Sequence, residues 1–263
     1  MSHETVRKAT VGQALEISSV LQKKLSPIIK GMSFEEAQSW IGSKAEIGRF
    51  LRKGFQDKNM GSTDLILDWQ DFYRRIFNKK VDFSGLRIPY HRLDYDRVLV
   101  VAEGLTYNMA FKACRERFRN VRTTNLDNPE KTVTHNDRMS DKQSYAIRAR
   151  NRFKADEELK GKSADKICEA DIPCMTLLER IVYELKFNDE TGGGHLDLES
   201  QDTDHKIFGS VTLCAGSRTR RGGVPVCSWI SHDPWQDETF TIRSGRDSDY
   251  TDTAVRGRQI VEA

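Results

Sequence analysis

The densest group of chemically versatile side chains lies near the end of the chain. Residues 215–258 carry Arg218, Arg220, Arg221, Trp229, His232, Asp233, Trp235, Asp247, Asp249 and Tyr250, separated by Ser and Gly. Aromatic rings offer large contact area at little entropic cost, while Ser, Gly and Asp adapt their hydrogen bonds. Arg and Trp are frequent anchors of binding hot spots. This is the composition of a recognition surface. An ordinary small β-sheet with core tryptophans and polar loops accounts for it equally well.

Other groups invite a chemical reading. Glu184-Leu185-Lys186 follows Asp171, and metal-dependent nucleases use an Asp and a Glu to hold Mg²⁺ and a Lys to position water. Those groups must converge from adjacent strands. Thr176 and Glu179 form a capping box that puts the triplet on a helix. On a helix, positions i and i+2 diverge by about 200°, so a solvated helical face is the plainer expectation. His195, Asp197, Asp202, Asp204 and His205 have the donors for a divalent metal, yet a flexible polar connector explains them more simply. A zinc half-site at Cys168 and Cys174 would need His195 or His205 as well. His135-Asn136-Asp137-Arg138 could hold a general base, but reads more plainly as a turn. Glu103-Gly104-Leu105-Thr106 turns a strand into a helix, an anion site in principle. One Gly there is neither a GxGxxG nor a P-loop. These motifs imply no cofactor.

The elements that position these residues change character along the chain. Ile17, Val20, Leu21 and Leu25 recur at helical spacing, and Ser33/Glu36 and Ser43/Glu46 are capping boxes. Leu65, Trp69, Phe72, Tyr73 and Ile76 form one apolar stripe, predicting a helix. Residues 81–89 read as a short strand with a turn. Residues 98–102 (VLVVA) read as a buried strand leading into a helix capped by Thr106, with Tyr107, Ala110, Phe111, Cys114 and Phe118 inside. The outer face carries Lys112, Arg115, Arg117 and Arg119. Residues 120–143 lack apolar periodicity and read as a long loop. Short polar helices are expected at 152–160 and 163–170. The helix after Thr176 stops at Gly192–Gly194. Strands are expected at 207–213, 224–230, 238–242 and 259–261.

Composition bounds the function. Over 263 residues, 37% are hydrophobic and 31% charged, and four Trp with 12 Phe argue against full disorder. No apolar run of about 18 residues exists, so no membrane span is expected. The start lacks a secretory leader, which points to the cytoplasm. Five cysteines at irregular spacing, with no CxxC, fit reduced thiols. Residues 1–128 hold 22 Lys+Arg against 15 Asp+Glu, a balance of +7, within a chain total of +3. No dense basic stripe appears, so nucleic acid is the less favoured partner.

Two resemblances bear on these residues. The segments WQDFYRRIF (69–77), DFSGLRIP (82–89), GLTYNMAFKAC (104–114), ADEELK (155–160), TLLERIVYELK (176–186) and LCAGSR (213–218) resemble a family of uncharacterised proteins abundant in ultra-small candidate-phyla bacteria. That family implies no activity. GSR (216–218), the 228–231 segment with Pro234 and Trp235, and AVRGRQIVE (254–262) resemble the end of retroelement-diversified variable proteins. This resemblance implies a C-type-lectin-like module. Its displayed face would comprise Trp229, Ser231, His232, Asp233, Trp235, Gln236, Asp247, Ser248, Asp249 and Tyr250.

The sequence therefore reads as an α+β protein. A helical N-terminal region covers 1–62, a mixed α/β middle 63–195, and a β-rich recognition module 196–263. The expected function is non-enzymatic recognition of a protein or carbohydrate ligand. The alternatives are an Mg²⁺-dependent nuclease using Asp171, Glu184 and Lys186, or an accessory protein contacting RNA or phosphate through the basic front half.

Overall fold

A computed structural model shows an α+β protein. It describes residues 62–92, 94–126, 128–197, 210–230, 238–252 and 254–262. The chain divides into two compact units, residues 1–61 and 62–263. The helices expected before residue 60 lie outside the described residues.

Helix α1 (Ser62–Phe77) forms where the apolar stripe predicts. Asp64 in its first turn and Arg74 and Arg75 in its last suit the helix dipole. Its Trp69, Phe72 and Tyr73 are buried against one another in edge-to-face and tilted pairs. Tyr73 Oη donates to the Val100 carbonyl at 2.8 Å and accepts from the Ala102 amide at 3.0 Å. That pair of bonds fastens α1 to the end of β1 (Arg97–Val101). Residues 81–89 form no strand. The Asp82 carboxylate accepts from the Ser84 amide, and Phe83 closes a turn with Leu86. Local side-chain bonding wins there over strand pairing.

Helix α2 (Tyr107–Arg117) follows β1 after a left-handed Gly104, and Thr106 caps it by accepting from the Met109 amide. The expected inner face is buried. The expected loop at 120–143 instead holds β2 (Val121–Thr124), α3 (Pro129–Thr132) and β3 (Val133–Asn136). These are short, and their pairing partners lie far along the chain. Next comes β4 (Tyr145–Ala149), followed by a single 3₁₀ turn at Glu157–Leu159 where a longer helix was expected. Helix α4 spans Ala164–Glu169. Helix α5 (Leu177–Thr191) has both halves of the capping box in place and ends at left-handed Gly192.

The remaining elements are strands: β5 (Val211–Leu213), β6 (Ser217–Thr219), β7 (Val224–Ile230), β8 (Thr239–Arg246), β9 (Val255–Gly257) and β10 (Ile260–Glu262). Among the described residues three sheets result, with orders β1-β4-β10, β2-β8-β7-β5-β9 and β3-β6. The first is antiparallel throughout, and the second mixes parallel β2/β8 and β5/β9 pairs with antiparallel ones. Strands from before and after residue 195 share all three sheets. Helix α5 packs against α2, β1 and β7 and is buried continuously from Leu177 to Lys186. Among the described residues no helix is long and apolar enough to cross a membrane.

Gly216 sets β6 against the start of α5. A Cβ there would lie 2.6 Å from the Cys174 carbonyl oxygen and 3.1 Å from Met175 and Thr176 backbone atoms. Backbone cannot yield as a flexible side chain would. Gly216→Ala is expected to cost about 1–3 kcal/mol, measured by urea unfolding. Unchanged stability would show that this close approach is slack.

Candidate functional site

The buried face of α5 carries charge. Glu179, Arg180, Glu184 and Lys186 are each no more than 1% exposed. The solvated face expected for Glu184 and Lys186 is therefore corrected: the helix is enclosed on all sides, and each charge has a partner. Lys186 Nζ donates to Asp68 at 2.6 Å and lies over the Trp69 and Phe72 rings. Glu184 faces another way, accepting from Arg180 at 2.6 Å and from the Leu196 amide at 3.1 Å. Asp171 is exposed, at a left-handed turn after α4. A nuclease site needs these three to converge, and they do not.

Asp197 lies at the centre of the buried charges. It is 0% exposed. Its Oδ1 accepts from the Ala155 amide at 2.7 Å, the Ser210 hydroxyl at 2.9 Å and Arg258 Nη2 at 2.9 Å. Its Oδ2 accepts from Arg180 Nη2 at 3.0 Å and from the Thr212 hydroxyl. The flexible connector expected at His195–Asp197 is thus a core element. Burial alone would raise the Asp197 carboxyl pKa. Arg258 and Arg180, with the Thr212 and Ser210 hydroxyls, more than offset this and hold it below the ordinary carboxylate range. Two guanidiniums, Arg180 and Arg258, balance two carboxylates, Glu184 and Asp197.

This chain of charges reaches the surface at His195. His195 Nδ1 faces Glu184 Oε1 at 3.7 Å, and Nε2 faces Glu238 Oε2 at 3.5 Å. Both distances exceed hydrogen-bond length. The imidazole stacks on Trp229 with centroids 3.5 Å apart, and Phe118 meets both rings edge-on. Here a cavity of about 650 Å³ opens, lined among others by Arg117, Arg119, Asn188, His195, Trp229 and Glu238. Such volumes suit small ligands or single residues of larger ones. Trp229 is 2% exposed, and its indole N–H has no hydrogen-bond partner. Leaving a buried donor unmatched costs about 1–3 kcal/mol.

The residues of the expected recognition face fall in three places. Trp229 is core, packed between His195, Phe118 and Phe240. Ser231, His232, Asp233, Trp235 and Gln236 lie outside the described residues, on the connection between Ile230 and Glu238. Asp247, Ser248, Asp249 and Tyr250 follow β8 at its far end. There Arg246 pairs with Val224, whereas Trp229 pairs with Phe240. Six residues of strand separate the two ends, about 20 Å. Asp247 and Asp249 are exposed; Ser248 bonds Asp165 and Tyr250 bonds Asp252.

No family model, curated protein or solved structure matches this chain. The site is therefore read from its own chemistry. Among the described residues no group of three His, Cys, Asp or Glu is placed to hold a metal ion. Cys174 is buried with its thiol pushed up to about 12, and burial raises the Cys114 and Cys214 thiols as well, so these are inert packing residues. The His135–Asn136 region is structural as well, since Asn136 Oδ1 accepts from Tyr107 and Ser217, each at 2.6 Å. A second cavity of similar size borders Arg138, whose guanidinium is committed to Glu179, Glu262 and the Cys174 carbonyl. Phe118, Asn188 and Glu238 were not singled out from the sequence as ligand-facing. Nothing local marks them, because the cavity forms only when α2, α5 and β7 meet.

Asp197 adopts φ 62°, a conformation Asn also tolerates. Asp197→Asn therefore tests charge rather than shape. It is expected to cost about 3 kcal/mol in urea unfolding at pH 7. In the native protein the Asp197 contribution is complete above the ordinary carboxylate pKa of 3.8 and is lost as pH falls through the lower folded-state value. The Asn variant is expected to lose less stability over that acid range. Equal acid sensitivity in both proteins would contradict the assignment.

Proposed function

We propose that this chain is a ligand-recognition protein whose binding site is the cavity at Trp229 and His195. The observation that carries this reading is that Trp229, buried with its indole N–H unpartnered, is among the residues lining that cavity. One face of the Trp229 ring is covered by His195, and Phe118 and Phe240 pack around it. Hydrogen bonding to a ligand is the contact this lining offers, with the Glu238 carboxylate as an acceptor.

The expected ligand class, a protein or carbohydrate, fits this polar lining. The resemblance to retroelement-diversified variable proteins supports a binding role too.

Screening the protein against an oligosaccharide array and a displayed peptide library tests the reading. Trp229→Phe keeps the ring and removes the donor. Its expected effect on any bound probe is a loss of about threefold to tenfold in affinity, read well below the variant's melting temperature because the smaller ring also loosens the core. Probes that bind wild type and variant equally would place recognition elsewhere.

A further inference from the structure

We infer that His195 and Glu238 form a pH-operated latch at the Trp229 cavity, which closes when the imidazole gains its second proton. The inference comes from what each ring nitrogen faces. Nδ1 is buried without a hydrogen-bond partner, 3.7 Å from Glu184 Oε1, and Nε2 stands 3.5 Å from Glu238 Oε2. A neutral imidazole has one N–H and one lone pair. In either tautomer it can donate to one of these carboxylates only, and it turns a lone pair toward the other. An imidazolium has two N–H groups and can donate to both. Among ordinary side chains, imidazole is the one that takes up a proton between about pH 5 and 8.

The two carboxylates are held differently. Glu184 is fully buried, with Oε2 accepting from Arg180 at 2.6 Å and Oε1 from the Leu196 amide at 3.1 Å. The Glu238 side chain is 38% exposed and directly precedes β8. The ring between them is fixed by its stack on Trp229 and by Phe118, and an indole face attracts a cation lying over it. Glu238 is therefore the group that moves, from 3.5 Å into the range of charged hydrogen bonds, about 2.7–2.9 Å. Other charges face this place. From α2, Glu116, Arg117 and Arg119 share the lining. Arg180 stands behind Glu184, and Asp197 is bonded to Arg180 and Arg258. Arg117 and Arg119 oppose a charge on His195. Arg117 is bonded to Asn188 and lies 4.0 Å from Asp189, whereas the carboxylates of Glu184 and Glu238 face the ring nitrogens themselves. Because Glu238 lines the cavity, the latch engages its carboxylate at low pH and leaves it open to the cavity at high pH.

Nuclear magnetic resonance of the whole chain, titrated from pH 8 to pH 5, tests this. The His195 ring signals are assigned by their loss in His195→Gln. As the ring takes up its second proton, both of its N–H signals are expected to become visible. The Phe240 amide, two residues beyond Glu238 and bonded to the Asn120 carbonyl at 3.0 Å, reports the fastening of β8. Its exchange is expected to slow about twofold to fivefold beyond the intrinsic effect of pH. Glu238→Gln, at a partly exposed position, is expected to abolish that slowing and the Nε2–H signal while keeping Nδ1–H. His195→Gln is expected to abolish the slowing as well. Protonation of His195 without slower exchange at Phe240 would overturn the latch. So would equal slowing in Glu238→Gln, or a His195 that takes up no proton in this range. No ligand is present in this experiment, so failure of the cavity reading in the Trp229→Phe comparison would leave the latch standing.

Discussion

A carboxylate cut off from water has to be matched by donors, and Asp197 is matched by five. They come from the segment before the 3₁₀ turn, from α5, from residues 210–212 and from the residue pair before β10. These pieces are far apart in sequence. Apart from α5 the pieces are short, and β5, β9 and β10 are three residues long. A shared ionic anchor substitutes for the long strand ladders that such short elements lack. Arg258 extends the anchor by donating to the Arg152 and Phe153 carbonyls. Balanced charge matters here, because a buried ion is tolerated when paired and strongly destabilising when its partner is removed.

The same anchor shapes the cavity. Arg180 joins Asp197 to Glu184, and Glu184 accepts from the Leu196 amide. The backbone just after His195 is thereby pinned to buried groups. His195 can then hold its stack on Trp229 at the cavity wall. Asn188, near the end of α5, orients Arg117 from α2. A site built this way is preorganised by the core rather than by flexible loops, which lowers the entropic cost of binding.

Local signals were legible where burial is apolar and continuous. The stripe from Leu65 to Ile76, the run Val98–Ala102, the Thr106 cap and the Thr176/Glu179 box all lead to the elements observed. Strand β4 was not legible: its five residues include Arg148, whose guanidinium is taken up by the Pro89 and Tyr95 carbonyls. That compensation is invisible in sequence. Strands β2 and β3 have one apolar residue each and exist through distant partners. Charged residues on α5 suggested solvent, because a charge carries no local mark of a partner more than a hundred residues away, as with Lys186 and Asp68. At the candidate site Trp229, His195 and the arginines of α2 were visible as residue types. Their convergence was not, since it depends on three elements meeting.

The most direct measurement is amide hydrogen exchange at Ala155 and Leu196, read by nuclear magnetic resonance in the native protein. Their N–H groups donate to Asp197 and Glu184 respectively, one in the core anchor and one at its extension to the cavity. If the anchor organises the fold, both amides exchange only through global unfolding, with the same free energy as the most protected amides of β1 and α5. Exchange through low-energy local opening at either position would contradict it.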